Sequence, residues 1–137
     1  MSKILYVEDE EDHRIIVSHH LKRAGHLVLL ATTTADGLAL AKSQSPEVIL
    51  MDLKFGEDEM AGLEATRRLK ADAVLRAIPV IAVSAFNETT RKTEALRAGC
   101  DDYFVRPIDY PQLLKRIVNL VAANQTAPPM QPPTQEP

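Results

Sequence analysis

Five short apolar runs, each followed by a longer amphipathic stretch, constrain this chain more than any other feature. They are Ile4–Val7 (ILYV), Leu27–Leu30 (LVLL), Val48–Met51 (VILM), Val80–Val83 (VIAV) and Tyr103–Val105 (YFV). Each is nearly continuous in apolar residues rather than alternating, the pattern of strands covered on both faces. The stretches between them are of helix length. Ala61, Leu63, Ala65 and Leu69 follow helical spacing in one, and Ala95, Leu96 and Ala98 in another. Strand and helix alternating five times predict a parallel sheet with right-handed crossovers, an α/β doubly wound fold.

The punctuation agrees. Gly25 and Gly99 follow helical runs, where a left-handed residue commonly stops a helix. Asp109 precedes Tyr110-Pro111 and predicts an N-cap, with proline in the first turn. Pro46 and Pro79 stand at strand entrances. The segment NQTAPPMQPPTQEP, residues 124–137, holds five of the nine prolines and one charged residue, Glu136. It cannot bury enough surface to offset its ordering entropy. The chain therefore divides into a folded domain over 1–123 and a disordered proline-rich tail or linker over 124–137.

Composition narrows the class. No apolar stretch approaches the ~20 residues of a membrane span, and the N-terminus MSKILYVEDE turns acidic too early for a secretory signal. The lone Cys100 has no partner for an intramolecular disulfide, which suits a reducing, cytoplasmic setting. A net charge of −3 argues against direct contact with nucleic acid.

Ligands of open parallel sheets gather at the carboxyl ends of the strands. Immediately after the first run stand Glu8 and Asp9; the third ends at Asp52, the fourth at Ser84, and the fifth is followed by Arg106. Singly, each has an ordinary structural reading as a helix cap, a turn residue or an ion-pair partner. Three carboxylates, a hydroxyl and a guanidinium on one rim are harder to explain that way. Clustered carboxylates favour a hard cation such as Mg²⁺. A central carboxylate can act as nucleophile to form an aspartyl-phosphate.

The motifs ILYVEDE, VILMD, PVIAVSA and DDYFVRP, in this order and over about Lys3 to Val121, resemble the CheY-like receiver domains of two-component signalling. The resemblance implies a flavodoxin-like sheet of five parallel strands in order 2-1-3-4-5, with five helices. It makes Asp52 the phosphoacceptor and Glu8 and Asp9 the acidic pair for Mg²⁺, joined by the backbone carbonyl of Lys54. Ser84 matches the phosphoryl-binding hydroxyl, and Tyr103 the aromatic residue that changes rotamer on activation. The implied partners are a histidine kinase or histidine phosphotransfer protein and a downstream effector. The effector, or a second copy in a homodimer, would meet the surface of the fourth helix, fifth strand and fifth helix. Such a domain is consumed as substrate and is not an enzyme.

Three features depart from the family pattern. Arg106 stands before Pro107 where the family has lysine, and a planar fork is not a point charge. The loop after Asp52 has Gly56 where the family has proline. Gly62 comes about two residues late, so this loop is longer; its Glu57, Asp58 and Glu59 are read as solvated. Phe86 stands at a position that borders the site in the family, and predicts slow loss of the phosphoryl group.

Other features attract a bland reading. His13, His19, His20 and His26 match no metal motif, and the first three are read as solvated residues of a helix leaving the rim. Arg67, Arg68 and Lys70 form a solvated basic face, and Cys100 a small buried residue. Two rival functions remain. A receiver-like module that binds constitutively, without phospho-switching, would fit Arg106 and the altered loop. A phosphohydrolase with an Asp nucleophile would carry a second Asp two residues on, where this chain has Lys54.

Overall fold

A computed structural model describes residues 2–85 and 89–126. The strands are β1 (Lys3–Val7), β2 (Leu27–Ala31), β3 (Val48–Asp52), β4 (Val80–Ser84) and β5 (Asp102–Val105). The helices are α1 (Glu11–Arg23), α2 (Thr34–Gln44), α3 (Ala61–Ala71), α4 (Thr89–Ala98) and α5 (Tyr110–Thr126), with one 3₁₀ turn at Leu75–Ala77. All strand pairs are parallel, in the order β2-β1-β3-β4-β5. The sheet is the flavodoxin-like one implied by the motifs.

Alternation along each strand divides the core into two layers. Leu5, Val7, Ile49, Met51, Val80 and Ala82 point to a cluster with Leu63, Leu69 and Ala95 of α3 and α4. Ile4, Tyr6, Val48, Leu50 and Ile81 point the other way, to Val17 and Leu21 of α1 and Leu113 and Ile117 of α5. Each fully buried aliphatic side chain contributes roughly 1.5–3 kcal/mol.

Coverage on both faces holds for β1, β3 and β4 but fails at the sheet edges. Leu27 and Leu30 of β2 are 48% and 41% exposed, and all four residues of β5 are half-buried. An edge strand has a neighbour on one side only, so its apolar run is longer than its burial.

Local signals terminate the helices. Gly25 adopts φ 92° after α1 and donates its N–H to Lys22 O at 2.9 Å. Asp109 Oδ1 accepts from Gln112 N at 3.2 Å, the predicted cap of α5. That helix continues through Thr126, three residues into the segment read from composition as a tail; residues 127–137 lie outside the described residues. Gly62, at the start of α3, lies against the end of β3. A Cβ there would meet Asp52 O at 2.1 Å and Leu53 Cα at 2.5 Å. Only glycine lets α3 approach the strand end so closely.

Candidate functional site

The register of the sheet sets the site. Val7 pairs with Met51, Asp52 with Val83, and Ser84 with Val105, so the four strand ends form one level rim. Beyond it the chain stays tethered: Glu8 N donates to Ala31 O at 2.9 Å and Arg106 N to Ser84 O at 2.8 Å. Glu8, Asp9, Asp52, Ser84 and Arg106 thus reach one rim.

Glu8 is the hub, fully buried at 0% exposure. Its Oε1 accepts from Tyr6 OH at 3.0 Å and Arg106 Nη2 at 2.6 Å, and lies 3.1 Å from His13 Nδ1. Its Oε2 accepts from Glu10 N at 3.1 Å. Asp52 is buried at the end of β3. Its Oδ2 accepts from Arg106 Nη2 at 3.1 Å, and its Oδ1 from Lys54 N at 2.9 Å. The same Nη2 also donates to Tyr6 OH at 3.1 Å, so one guanidinium nitrogen bridges both carboxylates.

The electrostatics follow from burial. Loss of water, the hydrogen bond with Asp52 and the repulsion of its carboxylate together raise the pKa of Glu8. Burial likewise raises the Tyr6 phenol. Burial acts to lower Arg106, but Tyr6, Asp52 and Glu8 outweigh it and raise its pKa. The pocket is short of positive charge, and Arg106 supplies part of it.

Two groups of side chains bring ligand atoms within 4.8 Å of one another: Glu8, His13 and Asp52, and Glu8, Asp9 and Glu10. The oxygen donors suit a hard divalent cation. Asp9 and Asp52, expected to share one ion, fall in different groups joined through Glu8. Asp9 Oδ2 is instead held by Gly56 N at 2.9 Å, a tie to the loop after β3. Lys54 contributes its peptide N–H to Asp52, while its side chain is exposed. Ser84 is buried at the end of β4. Tyr103, half-buried on β5, packs against the α3 and α4 layer.

Two residues of the site were read otherwise or missed. His13 is no solvated histidine: α1 starts at Glu11, so its first turn carries the ring to Glu8. Tyr6 belongs to the first apolar run, and strand alternation points residues 6 and 8 to one face. The acidic loop is also more structured than solvation implies. Phe55 and Asp58 exchange N–H···O bonds of 2.9 Å, Asp58 Oδ1 accepts from Met60 N at 2.9 Å, and Glu59 pairs with Arg91 of α4. Glu57 and Asp58 are exposed, as the solvated reading expects, while Glu59 is half-buried. Phe86 lies outside the described residues.

Beside the rim, His13, Ile16, Arg106, Ile108 and Tyr110 line a groove of about 390 Å³. The His20 ring stacks on Tyr110 at its margin, centroids 3.6 Å apart.

Comparison with known proteins gives the same picture. Residues 4–118 match the response regulator receiver domain family. Protein PilH of Pseudomonas aeruginosa is 38% identical over 122 residues, covering 89% of this chain and 99% of that protein. The polar-differentiation response regulator DivK of Brucella ovis is 33% identical over 114 residues, covering 83% of this chain and 91% of DivK. The chemotaxis protein CheY4 of Vibrio cholerae superposes with TM-score 0.79 at 27% identity, covering 88% of this chain and 98% of CheY4. The receiver domain of sensor histidine kinase PA1611 from P. aeruginosa superposes with TM-score 0.79 at 26% identity, covering 88% and 98%. That structure has a magnesium ion coordinated in its active-site cleft. Family match, sheet order and strand-end carboxylates agree: this chain belongs to the response regulator receiver domains of two-component signalling.

Proposed function

We propose that the chain accepts a phosphoryl group on Asp52 from a histidine kinase or histidine phosphotransfer protein. The observation that carries this is the buried Glu8–Asp52 pair at the strand ends, bridged by Arg106. Glu8, Asp52 and Asp9 would hold Mg²⁺, with the Lys54 peptide alongside. Magnesium supplies charge neutralisation of the carboxylates and of phosphoryl oxygens.

In the transfer, an Asp52 carboxylate oxygen forms a bond to phosphorus as the donor imidazole N–P bond breaks. The imidazole nitrogen keeps the bonding pair and takes up a proton. The Ser84 hydroxyl and the Arg106 fork donate to the new phosphoryl oxygens. The phosphoryl group adds about −1.5 to −2 charges. Drawing Arg106 and Ser84 toward it would bias the α4-β5-α5 surface, on which Tyr103 lies, for an effector or a second copy. No helix among the described residues is long and apolar enough to cross a membrane; the lone cysteine suits work in the reducing cytoplasm. The domain is a phosphoacceptor rather than an enzyme, its only turnover being loss of its own phosphoryl group.

A second reading has one observation in its favour. Arg106 already bridges Glu8 and Asp52 and offsets part of their charge, which suits a module that binds its partner constitutively. Intact-protein mass after incubation with acetyl phosphate and Mg²⁺ separates the two. The receiver reading expects a gain of one phosphoryl mass, absent without metal and absent in Asp52→Asn. No gain, together with no binding of beryllofluoride, would overturn it.

A further inference from the structure

On the opposite side of α1 from the groove at the rim, the chain presents a second face that the phosphoacceptor site does not use. Glu11, Ile15, Ser18 and Lys22 lie four, three and four residues apart and form one stripe along the helix. With Arg14, His19 and Leu30 they line a groove of about 470 Å³ between α1 and the free edge of the sheet.

Three features of this face are out of place on a solvated surface. Ile15 is 60% exposed, and Leu30 of the edge strand 41%. The β2 run LVLLA has no charge, proline or bulge, the usual devices that keep an edge strand from pairing. Ser18 is only 6% exposed, and its Oγ has no hydrogen-bond partner among the described residues.

The charges identify the occupant. The first turn of α1 is acidic, Glu11 and Asp12, and its last turn basic, with Lys22 and Arg23. A second copy of α1 laid antiparallel about a two-fold axis midway along the stripe brings Glu11 beside Lys22 of the other copy. It brings Ile15 beside Ser18, and Arg14 beside His19, each pair formed twice. Along the stripe, bulky Ile15 meets small Ser18 and acidic Glu11 meets basic Lys22. A patch that complements itself under a two-fold axis is what an isologous dimer requires.

We infer that this chain self-associates through the α1–β2 face, as an antiparallel α1 pair flanked by Leu30. The Asp52 rim and the α4-β5-α5 surface stay open in such a dimer, so the inference does not depend on phosphoryl transfer.

The test is the oligomeric state of the full chain by sedimentation velocity, with circular dichroism confirming the fold of each variant. Wild type should dimerise reversibly, and Ile15→Asp should remain monomeric. Lys22→Glu turns two attractions into two repulsions and should raise the dissociation constant about tenfold; added Glu11→Lys should restore it. A monomer at every concentration up to about 1 mM would overturn the inference. So would a dimer that tolerates Ile15→Asp, a charge swap without rescue, or a dimer lost only with Leu96→Asp on α4.

Discussion

Removing the Arg106 guanidinium should tighten divalent-cation binding at the rim, although it destabilises the ion-free protein. Arg106 Nη2 contacts Glu8 Oε1 at 2.6 Å and Asp52 Oδ2 at 3.1 Å, where a cation shared by these carboxylates would sit. Hydrogen bonds to charged groups net about 1.5–3 kcal/mol each. An entering ion displaces both, and the freed guanidinium regains part of that from water. A net handicap of about 1.5–3 kcal/mol corresponds to roughly tenfold to hundredfold in affinity. Without the ion, Arg106→Ala leaves Glu8 and Asp52 with less compensation. Breaking a buried pair costs about 3–5 kcal/mol, but Glu8 can hold a proton, so about 1–3 kcal/mol is expected here. Titrating Mn²⁺ and following free ion by electron paramagnetic resonance measures the first effect; urea denaturation in chelator measures the second. Equal or weaker Mn²⁺ binding by Arg106→Ala would refute the reasoning, because it would mean that guanidinium and cation do not compete.

Three further outcomes follow from individual residues. The pKa of Glu8 is raised above 4.5, so its contribution to ion-free stability is full below that value and lost as pH rises through the folded pKa. Cation binding needs the ionised form, so affinity should climb with pH and a proton should be released, seen by calorimetry in buffers of different ionisation enthalpy; Glu8→Gln should abolish the release. Gly62→Ala forces a Cβ onto Asp52 O and Leu53 Cα. It should cost about 1–3 kcal/mol in urea denaturation and slow phosphorylation by acetyl phosphate; an unchanged midpoint would show that α3 can shift freely. Burial pushes the Cys100 thiol up to about 11. Its reaction with Ellman's reagent near pH 8 should be slow in the native protein and fast in denaturant.

The strands were legible in the sequence because a parallel sheet between helix layers needs apolar residues at successive positions, and each observed strand begins or ends within one residue of its run. Which strands form the edges was not legible from periodicity: LVLL of β2 reads like VILM of β3, yet only the latter is wholly buried. That difference comes from sheet order, which the family resemblance supplied. In the same way the rim was legible, because strand ends are fixed by where apolar runs stop. Partners beyond the rim were not. Asp9 is held by Gly56 across 47 residues of chain, and Glu8 by Arg106 across 98, and no local pattern encodes either distance. His13 and Tyr6 were closer to hand, since the first turn of a helix and the alternation of a strand place both beside Glu8.

The substitution of arginine for the family's lysine bears on how large a response this domain can give. A lysine ammonium is a compact point charge, whereas a single Arg106 nitrogen reaches Tyr6, Glu8 and Asp52 with the rest of the fork still available. Under the proposed function, the switched state must draw Arg106 from these acceptors to phosphoryl oxygens. Inverting a population from 1:99 to 99:1 takes about 5.5 kcal/mol of differential interaction. Two charge-assisted bonds gained at the phosphoryl group are worth about 3–6 kcal/mol, and the two given up at Glu8 and Asp52 offset a similar amount. Arginine alone therefore supplies little net bias, and the difference must come from the cation. With a cation held by Glu8 and Asp52, Arg106 would already be displaced, and its bonds to the phosphoryl oxygens would count in full. Metal binding and phosphorylation should accordingly be coupled more tightly in this domain than in its Arg106→Lys variant.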